Sequence, residues 1–141
     1  MKVVVANDLT EAEKKFQKDE WLVADIEHYG KEVNWEEHEA YFIKIMDGER
    51  IAGILDLVIS HRVAKIKDLI VDHNRKRQGI GKQLILEAEK IARKSGAHRM
   101  YLDTGKDWQA RKFYEALGYE VEGTLRDYSF HKDFVFYSKK V

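Results

Sequence analysis

The run Val71-Asp-His-Asn-Arg-Lys-Arg-Gln-Gly79-Ile-Gly81-Lys-Gln-Leu-Ile85 constrains the fold more than any other part of the chain. An apolar strand passes straight into a basic, glycine-punctuated turn, and the turn opens a long amphipathic helix. That order builds an anion site. Glycine lets the backbone approach a ligand closely, and the first N–H groups of a helix have no intrahelical partner. The helix macrodipole adds partial positive charge at the same end, so a phosphate or pyrophosphate belongs there.

At 141 residues the chain is long enough to bury a core without metal or disulfide staples, and a single domain over 1–141 is expected. It has no cysteine, which excludes a disulfide framework, a thiolate zinc site and a cysteine nucleophile. No apolar run approaches membrane-spanning length, so no membrane partner is expected. The Met-Lys-Val-Val start is too short and charged for a signal peptide, which leads us to expect a cytoplasmic location. Lys plus Arg and Asp plus Glu balance at 25 each, so no global field draws the protein onto nucleic acid. Basic charge is local, at Arg75, Lys76, Arg77 and Lys82. A solvated basic edge is the competing reading of the first three.

Along the chain, the β-branched run Lys2–Ala6 reads as a first strand, and Thr10-Glu-Ala-Glu13 as a capping box opening a helix with Phe16 on its buried side. Residues 19–39 are irregular and rich in acids and aromatics. Two apolar runs, Tyr41–Met46 and Arg50–Ser60, flank Asp47-Gly48 and read as a hairpin, followed after a short turn near His61 by a strand Val63–Val71. The helix after Gly81 carries Leu84, Ile85, Ala88, Ile91 and Ala92 at helical spacing and stops at Gly96. A strand His98–Asp103, a helix Asp107–Leu117, and closing strands Tyr119–Glu122 and Tyr128–Tyr137 complete the pattern. The sum is a mixed α+β protein with a mixed sheet and helices on both faces, not a uniform βαβ array.

Two familiar phosphate loops fail against the residues. A Walker loop needs a hydroxyl after Gly81-Lys82, where Gln83 stands, and an earlier glycine where Lys76 stands. A dinucleotide fingerprint needs a third glycine at Leu84 and a strand-end acid for the ribose. A Gly-x-Gly alone is weak, since a plain tight turn uses the same residues. The combination is more specific. Asp68-Leu-Ile-Val71 through Gly79-Ile-Gly81 resembles motif A of the GNAT family of N-acetyltransferases, in which Gln/Arg-x-x-Gly-x-Gly/Ala follows a strand. Ala110-Arg-Lys-Phe-Tyr114-Glu-Ala-Leu-Gly118-Tyr119 resembles the same family's motif B, and both occur in the family's order. Similarity to the ribosomal-protein alanine N-acetyltransferase subgroup is weaker. Lys76 departs from the usual Gln or Arg, keeping charge but losing the planar fork. Asp107 stands where asparagine is frequent and cannot donate an amide hydrogen bond. Tyr119 replaces the usual Phe.

The resemblance implies an acyl-CoA acyltransferase fold, with a mostly antiparallel sheet splayed between two parallel strands, here Val63–Val71 and His98–Asp103. It implies acetyl-CoA as cosubstrate and no metal. The scattered histidines likewise lack metal-ligand spacing. Backbone groups of Leu69, Ile70 and Val71 would pair with the pantetheine arm. An N–H on that strand would polarise the thioester carbonyl. Gln78, Gly79, Ile80, Gly81 and Lys82, flanked by Lys76 and Arg77, would hold the pyrophosphate. Asp107 would approach the pantetheine.

Transfer needs a neutral amine. A lysine with pKa near 10.4 costs roughly 4–5 kcal/mol to deprotonate at pH 7, and an α-amine near 7.7–8.0 only about 1–1.4 kcal/mol. Asp103 aligns with the acid that serves as base in the ribosomal-protein subgroup, and Asp68 on the other strand is second; strand-end capping is the competing role of each. Tyr114 would give a proton to the leaving thiolate, the competing role being a half-buried aromatic. The partner is an amine acceptor, either a protein N-terminus or a small molecule. Asp25, Glu27, Glu36, Glu37 and Asp56 could form an acidic wall for it, bordered by Tyr29, Trp35 and Tyr128. A non-catalytic acyl-CoA sensor is the alternative function, and either a monomer or a homodimer is compatible with the sequence. Nucleic-acid binding through Arg75–Arg77 would require steeply salt-dependent association, against which the neutral net charge argues.

Overall fold

The computed structural model describes residues 1–141, which form two compact units, residues 1–36 and 37–141. The smaller unit is built on α1 (Glu11–Tyr29). Its start is the expected capping box: the Thr10 hydroxyl accepts from the Glu13 N–H at 3.2 Å, and the Glu13 carboxylate accepts from the Thr10 N–H at 2.7 Å. Its end is Gly30 at φ 71°, whose N–H reaches the Ile26 carbonyl. Asp25 is buried in this helix and accepts from the Val33 N–H at 3.1 Å and Trp35 Nε1 at 2.9 Å. Those bonds fold residues 31–36 back along α1, and Trp35 packs against Trp21 and Tyr29. Two expectations change here. Lys2–Ala6 is exposed and pairs with no strand, because β-branched residues favour a ladder only where a partner exists. Phe16 is exposed, not buried.

The larger unit runs β1 (Glu39–Asp47), β2 (Arg50–Ser60), β3 (Val63–Val71), α2 (Ile80–Lys94), β4 (Arg99–Gly105), α3 (Ala110–Ala116), β5 (Glu120–Leu125), β6 (Phe134–Lys140). The six strands form one sheet in the order β1-β2-β3-β4-β6-β5. Every neighbouring pair is antiparallel except β3–β4, giving the mixed α+β class read from the sequence. The β1–β2 turn places Gly48 at φ 60°, and the β2–β3 turn places His61 and Arg62 at φ 50° and 65°, the twist a tight hairpin requires.

The core forms where Leu55 and Leu57 of β2, Ile66 of β3 and Met100 of β4 meet Leu84 and Ile85 of α2. Gly53 permits the close seat of α2 on β2: a Cβ there would lie 3.0 Å from both Ile80 and Leu84. The helical face also contains a residue its apolar pattern conceals. Glu89 is buried, paired with the Lys139 ammonium, and accepts from the Tyr119 hydroxyl at 3.4 Å. Burial, reinforced by the Glu89 charge, pushes the Tyr119 phenol well above its ordinary range.

Two elements are shorter than expected. α3 begins at Ala110 because residues 107–109 form tight turns, with Trp108 N–H bonded to the Gly105 carbonyl and Arg111 N–H to that of Trp108. β6 begins at Phe134 because residues 126–133 reverse direction through positive φ at Asp127, Phe130 and His131.

Candidate functional site

The parallel pair β3–β4 is short. It holds only Val63 opposite Arg99, Ala64 opposite Met100 and Lys65 opposite Tyr101. Beyond that, β3 stays paired with β2 as far as Val71 and β4 with β6 as far as Gly105, while their inner edges separate into a notch. A bulge marks the divergence: Asp56 faces Asp68 while Leu57 faces Ile66, so Lys67 is an extra residue that bends β3. Leu69, Ile70 and Val71 lie past the bulge, on an arm whose notch side is a free strand edge. Such an edge accepts an extended ligand as an added strand.

At the head of that arm the chain turns. Arg75 binds Asp47 at 2.7 Å and approaches Asp72 at 3.8 Å, tying the turn to the β1–β2 hairpin. Arg77 and Gly79 adopt φ 66° and 78°, and Gly79 is the N-cap of α2 without a side-chain cap. The first turn of α2 has no acidic residue, and the Gln83 N–H is the first to bond back, to the Gly79 carbonyl. The N–H groups of Ile80, Gly81 and Lys82 therefore lack intrahelical partners. Lys76, Arg77, Gln78, Gly79 and Lys82 are exposed around them, while the Ile80 side chain is buried in the core. The two glycines have different reasons to be there. Gly79 supplies a left-handed backbone in open space; at Gly81 a Cβ would lie 3.1 Å from the Phe113 ring, so its absence lets α2 and α3 meet.

Tyr114 projects from α3, 7 % exposed, packed by Phe113, Tyr119 and Tyr137 at ring separations of 5.1, 6.0 and 6.4 Å. Its hydroxyl takes no hydrogen-bond partner from the protein. Burial pushes its pKa up to about 12, with the charges of Asp68 and Asp103 adding to the shift. The fold thus brings together three residues from β3, β4 and α3. Asp68 is exposed, Asp103 is half-buried, and neither carboxylate is ion-paired.

Sequence reasoning missed the frame around Tyr114. Tyr137 is fully buried; Arg111 Nε donates to its hydroxyl at 2.8 Å, and that hydroxyl donates to Glu115 at 2.7 Å. Arg111 also donates to the Lys106 carbonyl at 3.1 Å, fixing the turn that carries the exposed Asp107. The i,i+4 spacing of Arg111 and Glu115 was the available signal. Trp108 lies over Gly105, where a Cβ would come within 2.4 Å of its ring, and continues through Phe134 to Tyr128 as an aromatic strip.

The expected acidic wall divides. Asp25 is engaged in holding residues 31–36, and Glu27, Glu36, Tyr29 and Trp35 belong to the smaller unit. Asp56 lies directly opposite Asp68 at the notch. Glu37 and Tyr128 belong to the larger unit. No group of three or more His, Asp or Glu side chains is arranged to hold a metal ion, and no helix is long and apolar enough to cross a membrane.

A sheet opened between two parallel strands, beside an uncapped helix start, is the architecture that the resemblance to the acetyltransferase motifs implies. Residues 6–119 match the acetyltransferase (GNAT) family, and the chain belongs to that family. Among solved structures, an acetyltransferase from Bacillus cereus superposes with a TM-score of 0.75 at 23% identity, covering 98% of each chain. A Bacillus subtilis acetyltransferase in complex with CoA gives a TM-score of 0.66 at 19% identity, covering 96% of this chain and 95% of that one. The ribosomal-protein-S18-alanine N-acetyltransferase of Escherichia coli gives 0.66 at 17% identity, covering 96% of this chain and 80% of that one. At these identities the likeness establishes the fold. No curated protein matches the sequence significantly.

Proposed function

We propose that the protein is an acetyl-CoA-dependent N-acetyltransferase that passes an acetyl group directly to a primary amine, with residues 1–141 acting as one cytoplasmic catalytic domain. The observation that carries this reading is Tyr114, a buried side chain whose hydroxyl is unpartnered and stands in the field of Asp68 and Asp103. Membership of the acetyltransferase family and the CoA bound by the Bacillus subtilis structure support the choice of cosubstrate.

Acetyl-CoA supplies an activated acyl group as a thioester. Leu69, Ile70 and Val71 hold its pantetheine arm by extending the free edge of β3. The N–H groups from Gln78 to Lys82, with the Lys76, Arg77 and Lys82 side chains, hold the pyrophosphate; Ile80 contributes its N–H alone. Asp107 only accepts hydrogen bonds when ionised, so its contact with pantetheine runs from a ligand amide N–H to the carboxylate.

Asp103 takes the proton of the attacking amine, directly or through one water, with Asp68 as the second carboxylate across the notch. The nitrogen lone pair forms the C–N bond, the C–S bond breaks, and its electron pair goes to sulfur. Tyr114 donates a hydrogen bond to that sulfur. Even a thiol is a stronger acid than a phenol held at about 12 (a cysteine titrates at about 8.5), so Tyr114 does not protonate a free thiolate outright. The carboxylates temper this mismatch. Once Asp103 is protonated, one of the charges that raise Tyr114 is gone, and the phenol becomes more acidic as the thiolate departs. Burial remains the larger cause and is not relieved.

A protein N-terminus and a small-molecule amine both meet these needs; similarity to the Escherichia coli enzyme favours including the former in any test. The test is thiol release from acetyl-CoA across free amines and peptides of varied N-termini, with products weighed by mass spectrometry. An acetylated amine is the expected product. Acetyl-CoA binding without thiol release for every acceptor would replace this reading with a non-catalytic acyl-CoA sensor.

A further inference from the structure

The carboxylates at the notch exceed what a single base requires. Asp56 and Asp68 are directly opposed across β2–β3 and so share one face of the sheet. Asp56 alternates with the buried Leu55 and Leu57, and Asp103 with the buried Leu102 and Thr104, which places all three acids on the face away from the α2 core. They form a row across β2, β3, the notch and β4.

Directly opposed like charges destabilise a sheet. Here the fold supplies no remedy: none of the three makes an ion pair or side-chain hydrogen bond, whereas Asp47, Asp72, Asp127 and Asp133 are all engaged. Lys65 and Lys67 border a hollow beside Asp56, with Phe42 and Val58, yet neither pairs with the row. The row does not gather into a metal-ligand cluster. An elongated cation suits it better than a point charge. The row also meets the reaction centre: Tyr114 is a buried side chain whose hydroxyl takes no partner from the protein and is reached by the charges of both Asp68 and Asp103.

We propose that the acceptor is a short aliphatic dication: the Asp56–Asp68 pair holds one ammonium, and the other amine is presented at the notch beside Asp103 and Tyr114. This rests on the acetyl-transfer reading above. Neighbouring strands lie about 4.8 Å apart, so a short alkyl chain spans from the β2–β3 pair to the notch. The presented amine loses its proton to Asp103, which passes it to solvent. Its nitrogen bonds the acetyl carbon as the C–S bond breaks, and the second proton that this nitrogen sheds on becoming an amide is taken up by the sulfur. The products are the CoA thiol and a monoacetylated diamine that keeps one ammonium.

The full chain is assayed with acetyl-CoA and putrescine, spermidine, pentylamine, γ-aminobutyrate or a peptide with a free α-amine. Putrescine is expected to exceed pentylamine in kcat/KM by about tenfold or more, and Asp56→Asn to lower that ratio by about tenfold, mainly through the KM for putrescine. Should Asp56→Asn fail to fold, the wild-type chain still decides: rising salt must raise the KM for putrescine more than that for pentylamine. The proposal is overturned if pentylamine, γ-aminobutyrate or the peptide matches putrescine, if the ratio survives Asp56→Asn in a folded variant, or if the two KM values respond alike to salt. Absence of thiol release with every amine overturns the acetyl-transfer reading as well, which separates the two failures.

Discussion

Two of the three helices, α1 and α2, treat the same problem at their starts in opposite ways. α1 closes its own start: Thr10 and Glu13 satisfy each other's N–H groups, and Glu11 and Glu13 put negative charge against the dipole. α2 leaves its start open, with Gly79 as cap, no acid in the first turn, and Lys76, Arg77 and Lys82 adding positive charge. The same contrast separates two buried tyrosines. Tyr137 has both a donor and an acceptor on its hydroxyl; Tyr114 has neither. A polar group the fold has satisfied is scaffold, and one it leaves unsatisfied beside a cleft awaits a ligand.

The tyrosine contrast gives the largest expected effect. Tyr114→Phe should lower kcat by about 10²–10³-fold with little change in the KM for acetyl-CoA, the range for loss of one hydrogen-bond donor to developing negative charge. Tyr137→Phe should act first on stability, by about 1–3 kcal/mol, because Arg111 and Glu115 lose their shared partner. Steady-state kinetics and melting of both variants decide the matter: equal losses of kcat would erase the distinction.

Alkaline pH sharpens it further. The folded pKa of Tyr114, about 12, lies above the unfolded value near 10, so the folded state holds this proton more tightly. Its contribution to stability is complete below about pH 10 and is lost as pH rises toward 12, an effect of about 2–3 kcal/mol. Tyr119 shifts in the same direction, so the measurement is the difference between wild type and Tyr114→Phe in denaturant melts from pH 9 to 12. Wild type should lose the more stability. Parallel curves would place the Tyr114 hydroxyl in water, outside the field of the two acids.

The helix starts predict smaller changes. Lys82→Glu gives α2 the internal anion that α1 already has, and should raise the KM for acetyl-CoA by about tenfold while leaving the fold intact or slightly firmer. Thr10→Ala should cost about 1 kcal/mol and leave that KM unchanged. A KM that ignores Lys82→Glu would mean that the open donors of α2 do not face the pyrophosphate.

The open start was legible because it is local: a strand, Gly79, Gly81 and a helical repeat sit within fifteen residues or so of chain, and short-range pattern reports short-range geometry. Tyr114, Asp68 and Asp103 were each legible through motif position, but their convergence depends on how far β3 and β4 stay paired, and no local signal reports that. Gly81 was read as room for a ligand, whereas the structure gives it a packing contact with Phe113. Asp25 was placed in an acidic wall because composition cannot distinguish a solvated acid from one bonded to Val33 and Trp35. Lys2–Ala6 shows the limit of propensity: its residues favour strand, and it has no strand beside it.

The smallest effect has an informative sign. Asp56 and Asp68 are opposed with no ion pair at either, so Asp56→Asn removes a repulsion while keeping the side chain's shape. The variant should be more stable than wild type by roughly 0.2–1 kcal/mol near neutral pH. The gain should shrink in high salt, which screens exposed charges. A loss of stability instead would mean that Asp56 has a structural partner and that the acidic row is part of the scaffold. A gain, together with a weakened preference for a dicationic acceptor, would show one carboxylate serving binding against the interest of the fold, as the open start of α2 does on the other side of the notch.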